Sequence, residues 1–189
     1  MKLLLHCCCA PCATACVDSL KGSLAAGDIA SETDYVPTLF WYNPNIHPLA
    51  EYHKRRDALL AFVSMNKLPL ESIDECGSER LLQDIGTETP GELHDRPCCE
   101  MCYRLLLEKT AACAAQQGFD AISTTLLISP YQKHDMIRRL GEELAGQYGL
   151  VFLYRDFRPL FRESQAQARA LGLYMQKYCG CAMSIQGRQ

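Results

Sequence analysis

Leu3-Leu4-Leu5-His6-Cys7-Cys8-Cys9-Ala10-Pro11-Cys12 decides how this chain is read. Leu3 to Leu5 is too short an apolar run for a helix and fits a buried strand ending at His6. The strand passes straight into four thiols within six residues, Cys7, Cys8, Cys9 and Cys12, with Cys16 four residues further on. In open α/β sheets, ligands bind beyond the carboxyl ends of the strands. A nucleotide-binding protein of that class carries a glycine-rich phosphate loop at this turn. Here thiols stand where phosphate-binding amides would be expected. One buried cysteine is an ordinary small apolar residue, but packing gains nothing from four of them over Ala or Val. The cluster calls for a chemical reason.

Outward from this stretch, the chain alternates. Residues 13–26 have helical spacing and stop at Gly27. Tyr35 to Tyr42 is aromatic and β-branched, a second strand with Pro37 near its start. Asn43-Pro44-Asn45 is turn chemistry, and Pro48 can open a helix running to about Asn66. Leu68 to Ile73 fits a third strand, and residues 86–97, rich in Gly, Pro and Thr, a loop. A long helical pattern runs from Cys98 to Gln117 and ends at Gly118. Phe119 to Leu127 is the next strand, 134–148 the next helix, Val151 to Tyr154 a further strand, and 162–175 mostly helix. Strands alternating with helices imply βαβ units and a parallel sheet covered on both faces. The expected fold is a single Rossmann-like α/β domain over residues 1–189, with a mostly parallel sheet, helices on both faces and an irregular Cys-bearing C-terminal tail.

Composition agrees. A chain of 189 residues, 48% apolar and 22% charged, can bury a full core and is neither disordered nor collagen-like. No apolar run reaches the roughly 20 residues of a spanning helix. The apolar start stops at His6 without a signal-peptide core or cleavage site, so the expected location is cytoplasmic. In a reducing compartment, twelve cysteines point to metal ligands or redox catalysts rather than structural disulfides. The net charge of −3 is uneven: residues 1–94 carry 7 Lys/Arg and 13 Asp/Glu (−6), residues 95–189 carry 12 and 9 (+3). Scatter explains an offset of this size, and a basic surface facing a polyanion is also compatible with it.

Two further thiol groups stand out. Cys99 and Cys102 are three apart at a helix start, so both project from one face, and the helix N-terminus favours thiolate there. With Cys8 and Cys9 they would supply the four thiolates of a zinc or an iron–sulfur site, and spacing alone does not choose between the metals. Cys179-Gly180-Cys181 can close a strained ring, and strained, exposed disulfides are labile and redox-active. The plainer reading there is two surface cysteines near a tail. Cys113, mid-helix among alanines, reads as core, and Cys12 and Cys16 are weaker candidates for the first cluster. His47 reads as a proton donor or a satisfied loop residue, and Ser129 to Lys133 follows a strand and can line the same pocket. Arg155, Arg158 and Arg162 with Asp156 read as a solvated charge run, or as phosphate contacts if the substrate is nucleic acid.

Six stretches occur in order: His6-x-Cys8-Cys9-x-Pro11-Cys12, Tyr42 to Pro48 (YNPNIHP), Cys99-x-x-Cys102-Tyr103-x-x-Leu106, Ser123 to Gln132 (STTLLISPYQ), Asp156-Phe157-Arg158 and Tyr178-Cys179-Gly180-Cys181. Together they resemble the cobalamin-independent QueH family of epoxyqueuosine reductases, over nearly the whole chain. The resemblance implies reduction of the epoxide of epoxyqueuosine to queuosine at the wobble position of tRNA, the last step of queuosine biosynthesis. It implies a 4Fe–4S cluster on Cys8, Cys9, Cys99 and Cys102, and a redox-active disulfide at Cys179 and Cys181. It also implies one additional mononuclear iron held by thiolate and Asp, for which Cys12 with Asp18 or Asp95 are candidates. The tRNA and an unidentified electron donor are the implied partners. The chain departs from the family pattern at Cys7, Ala10 and Cys98.

Reducing an epoxide requires electrons and an acid or Lewis acid for the developing alkoxide. The sequence carries no flavin or nicotinamide fingerprint, so thiols and metal are the redox groups it offers. Two alternatives remain at this level. One is a tRNA-thiolating enzyme, which would use a phosphate loop after the first strand. The other is a zinc-stabilised nucleic-acid-binding module closed by Cys8, Cys9, Cys99 and Cys102, which leaves Cys179 and Cys181 unexplained.

Overall fold

The computed structural model describes residues 1–22, 35–76, 97–181 and 184. Its core is a five-stranded, all-parallel sheet in the order β3-β2-β1-β4-β5, formed by β1 (Leu3–His6), β2 (Thr38–Trp41), β3 (Leu70–Ser72), β4 (Ala121–Thr124) and β5 (Val151–Phe152). Strand β1 is central, its Leu3, Leu4 and Leu5 fully buried as a continuous apolar run demands. It pairs with β2 through Leu4–Thr38, Leu5–Leu39 and His6–Phe40, and with β4 from Leu3–Ala121 to His6–Thr124.

The helices form two groups. Helix α1 (Ala10–Leu20) packs against α2 (Leu49–Asn66) and most extensively against α5 (Phe161–Ala170). Helix α3 (Pro97–Gln116) packs against α4 (His134–Gln147), β1 and β4. Right-handed crossovers place the two groups on opposite faces of the sheet. Trp41 anchors α2 to the sheet: its indole N–H donates to the Tyr52 hydroxyl (2.9 Å), which donates to Asp74 (2.7 Å). On the other face, α4 approaches β5 so closely that a Cβ on Gly141 would meet the Phe152 ring at 2.5 Å.

Several element ends differ from their apolar patterns. Helix α1 begins at Ala10 rather than 13, because Pro11 fits the first turn, where no amide donor is needed. The expected strand 119–127 stops at Thr124, and Thr125–Ile128 turn into a 3-10 helix. The Thr124 hydroxyl caps that turn by accepting from the Leu126 amide (3.2 Å). Helix α5 ends at Ala170, before Gly172 at φ +67. Arg155 is no solvated residue: it is buried and donates to the carbonyl (2.9 Å) and hydroxyl (3.2 Å) of Ser19. Arg158 does form an exposed ion pair with Asp156.

Candidate functional site

The chain builds outward from β1 through β2 to β3, then returns through α3 to the other side of β1. The topological switch therefore lies between β1 and β4, and a crevice opens beyond their carboxyl ends. His6 and Thr124, paired in register there, also pair side chains: His6 Nδ1 lies 2.9 Å from the Thr124 hydroxyl and Nε2 3.2 Å from the Tyr42 carbonyl. A carbonyl only accepts, so Nε2 carries the proton and Nδ1 accepts from Thr124. Burial lowers the His6 pKa, in keeping with this neutral ring.

The turn after β1 is satisfied group by group. The Cys7 backbone N–H donates to the Phe40 carbonyl (2.9 Å), and the side-chain Nδ2 of Asn43 donates to the Cys7 carbonyl (2.9 Å). The Cys8 amide donates to the Thr125 hydroxyl (3.2 Å), so the 3-10 turn after β4 seats the thiol turn after β1. The Cys7 thiol points back to the Leu5 carbonyl (3.3 Å), and Cys8, not Cys7, faces the crevice.

The sulfurs of Cys8, Cys9 and Cys12 all lie within 4.8 Å of one another, and those of Cys8 and Cys9 are 3.7 Å apart. Cys9 occupies the N-cap position of α1 and Cys12 is three residues on, in the first turn, so the two sulfurs come to one side of the helix start. Helix α5 secures that first turn: the Ser164 hydroxyl donates to the Pro11 carbonyl (2.7 Å) and accepts from the Ala15 amide (3.2 Å). The Gln176 amide donates to Cys9 (2.8 Å) and lies 3.6 Å from Cys12. Hydrogen bonds from Cys12 and Cys9 hold the Cys8 thiol well below the ordinary range. Burial pushes Cys9 well up, and the contacts with Cys8 and Cys9 do the same to Cys12. Three converging soft donors, one ionised in preference to the others, suit a thiophilic metal.

Cys102, on α3, lines the same cleft as Cys8, together with Tyr103, Gln132, Asn45, Arg55 and Cys179. Cys99, one turn earlier, is half-buried against the core. All three motifs from the sequence thus contribute a sulfur to one region, and the compact trio includes Cys12, which sequence reasoning ranked lower. Asp18 accepts from Gln167 (3.2 Å) on α5. Asp95 and the side chain of Cys98 lie outside the described residues. Cys16 and Cys113 are buried thiols, Cys113 as expected of a core position.

Cys179 follows α5 without secondary structure of its own, and contact with the Cys181 thiol pushes its pKa well up. Gln132 connects it to α3: its amide N–H lies 3.5 Å from the Cys179 sulfur, and its carbonyl oxygen accepts from the Tyr103 hydroxyl (2.5 Å). Burial raises the Tyr103 pKa, so its hydroxyl stays protonated. Arg55, which sequence reasoning missed, is 2% exposed and paired with Glu51 (2.7 Å), a buried pair whose breakage costs about 3–5 kcal/mol. Burial works against its charge, and Cys9, Glu51 and Cys8 more than restore it. Among the described residues, no helix is long and apolar enough to cross a membrane.

Comparison with known proteins points the same way as the thiols. The family described as Epoxyqueuosine reductase QueH matches residues 3–187. The chain is 33% identical over 183 residues to the epoxyqueuosine reductase QueH of Dehalococcoides mccartyi, covering 97% of this chain and 92% of that one. With the Thermotoga maritima protein of the same name it shares 34% over 195 residues, 99% of this chain and 92% of the other. With that of Streptococcus pyogenes it shares 33% over 196 residues, 98% and 72%. Full-length agreement at this level leaves one assignment: the chain belongs to the epoxyqueuosine reductase QueH family and is an oxidoreductase.

Proposed function

We infer that this enzyme reduces the epoxide of epoxyqueuosine to the alkene of queuosine in the anticodon of tRNA, working as a single domain over residues 1–189 in the cytoplasm. Two electrons and two protons enter, the two C–O bonds of the epoxide break, and the oxygen leaves as water. One observation carries the reading: the Cys8, Cys9 and Cys12 sulfurs converge within 4.8 Å at the switch point of the sheet, beside a cleft that Cys102 and Cys179 also line.

An all-sulfur donor set at half-buried and buried positions fits an iron–sulfur cluster. Cys8, Cys9, Cys99 and Cys102 would hold a 4Fe–4S cluster, with Cys12 left as the thiolate for one additional mononuclear iron. When bound, such a cluster supplies single electrons at low potential. The chain's own groups do the rest. Thr125 and Gln176 orient the thiols of Cys8 and Cys9. The Cys179/Cys181 pair exchanges reducing equivalents with an external electron donor. Asn45 lines the cleft, and its buried Oδ1, without a hydrogen-bond partner among the described residues, offers an acceptor for a substrate hydroxyl or N–H. The basic second half of the chain suits the tRNA.

The test is anaerobic purification followed by iron, sulfide and zinc analysis and a visible spectrum. A brown protein with about four irons and four sulfides per chain, besides any lone iron, supports the reading. A colourless protein holding one zinc after anaerobic reconstitution with iron and sulfide overturns it in favour of a zinc-stabilised binding module.

A further inference from the structure

Arg55 sits midway along α2, a helix whose exposed face is rich in charge, yet its guanidinium is directed inward. Every nitrogen of the fork has a partner. Nε donates to Glu51 (2.7 Å), Nη1 to the Cys179 carbonyl (2.9 Å) and Nη2 to the Tyr178 carbonyl (2.9 Å). Its plane also lies over the Tyr178 ring, 5.1 Å from the centroid. Glu51 in turn accepts from the Tyr174 hydroxyl (2.6 Å), so the pair grips the segment after α5 at both ends. Two contacts with the His47 backbone complete the seat: the His47 amide donates to the Gly180 carbonyl (2.8 Å), and the Tyr178 hydroxyl donates to the His47 carbonyl (2.5 Å).

Gly180 is matched to this seat. It adopts φ +123, and a Cβ there would lie 2.9 Å from Arg55 Nη1 and 3.3 Å from Ile46 Cγ1. Glycine between the two cysteines therefore serves the close approach of the guanidinium as well as the turn itself. Arg55 and Cys179 line the same cleft as Cys8 and Cys102.

We propose that Arg55 is the positioning residue that docks the Cys179-Gly180-Cys181 turn on the thiol cleft, so that the dithiol is presented there only while the guanidinium holds the tail carbonyls. The role it serves rests on the reductase reading, but the docking itself does not. Without the fork, the turn itself keeps the His47 contacts and the long Gln132–Cys179 contact (3.5 Å), while Tyr174 and Gln176 hold only the segment before it, and the turn lifts.

Two variants of the full chain, purified anaerobically and kept free of tRNA, test this. Arg55→Gln removes the fork from the α2 side. Gly180→Ala pushes a methyl into it from the tail side and leaves every α2 residue as it is. Both are read by hydrogen exchange and by titration with glutathione. In that titration Cys179 and Cys181 lose two protons and two electrons as their S–S bond forms, and the S–S bond of oxidised glutathione takes them up as two thiols. In both variants, exchange of residues 176–181 and of the His47 amide is expected to accelerate at least about tenfold, and in Gly180→Ala, which keeps the Arg55–Glu51 pair, β1 and β4 stay unchanged. The dithiol–disulfide constant is expected to change at least about fivefold, which a purely structural ion pair would not cause. Tail exchange within twofold of the parent, a parallel rise in β1 and β4 in Gly180→Ala, or an unmoved glutathione constant overturns the proposal. Neither readout uses tRNA or turnover, so failure of the reductase reading leaves these results standing.

Discussion

The thiols after β1 and those after α5 belong to one cleft but are held in opposite ways. Cys8, Cys9 and Cys12 are placed by regular structure: a central strand delivers them, helix α1 starts beside them, and Phe40, Asn43 and Thr125, on or next to the adjoining strands, hold the turn's backbone. Moving them means melting the middle of the sheet. Cys179 and Cys181 lie on a segment with no strand or helix of its own, held by Arg55 and His47, more than a hundred residues away in sequence. The first arrangement suits a resident cofactor, whose ligands must not drift. The second suits a pair that exchanges electrons with partners and changes its own bonding as it does so.

Substitutions should separate the two regions. Cys9→Ser is expected to have the largest effect, removing bound iron and sulfide and taking turnover below detection with the far-ultraviolet circular dichroism unchanged; iron at the parent's level would remove Cys9 from the ligand set. Cys179→Ser should leave iron content intact while turnover falls about a hundredfold, ~2.7 kcal/mol in the barrier. Assays with several reductants check this, and full turnover with each would make the tail pair dispensable. Thr125→Val removes the hydroxyl that meets both the amide and the sulfur of Cys8 (3.2 and 3.5 Å), and should weaken metal retention about 10–100-fold in a chelator challenge. Cys113→Ala should do least: a stability change below about 1 kcal/mol by urea denaturation, with metal and turnover unaltered.

Much of this arrangement is legible in the chain. Leu3-Leu4-Leu5 running into cysteines announces a central strand with its site at the carboxyl end, and alternating strand and helix patterns announce the parallel sheet. Element ends are less legible, because apolar character continues past the point where the backbone leaves the sheet. The run 119–127 is uniformly strand-like, yet Thr124 caps a turn with its own hydroxyl and thereby brings Thr125 to Cys8. Cys12 could have been ranked higher, since a position three residues after Cys9 at a helix start shares its face. Arg55 and Arg155 give no local signal. Each sits in a charged stretch, and each is buried by partners, Cys179 and Ser19, more than a hundred residues distant.

The central claim is that the cleft at the β1–β4 switch point carries out a two-electron reduction of an epoxide. The direct measurement is a single-turnover reaction of the reduced, iron-loaded protein with tRNA bearing epoxyqueuosine, with nucleosides analysed by mass spectrometry. The account predicts a nucleoside lighter by one oxygen, formed by the parent and not by Cys9→Ser. An epoxide left intact by fully loaded protein with excess low-potential reductant, or equal conversion by iron-free Cys9→Ser, would contradict it.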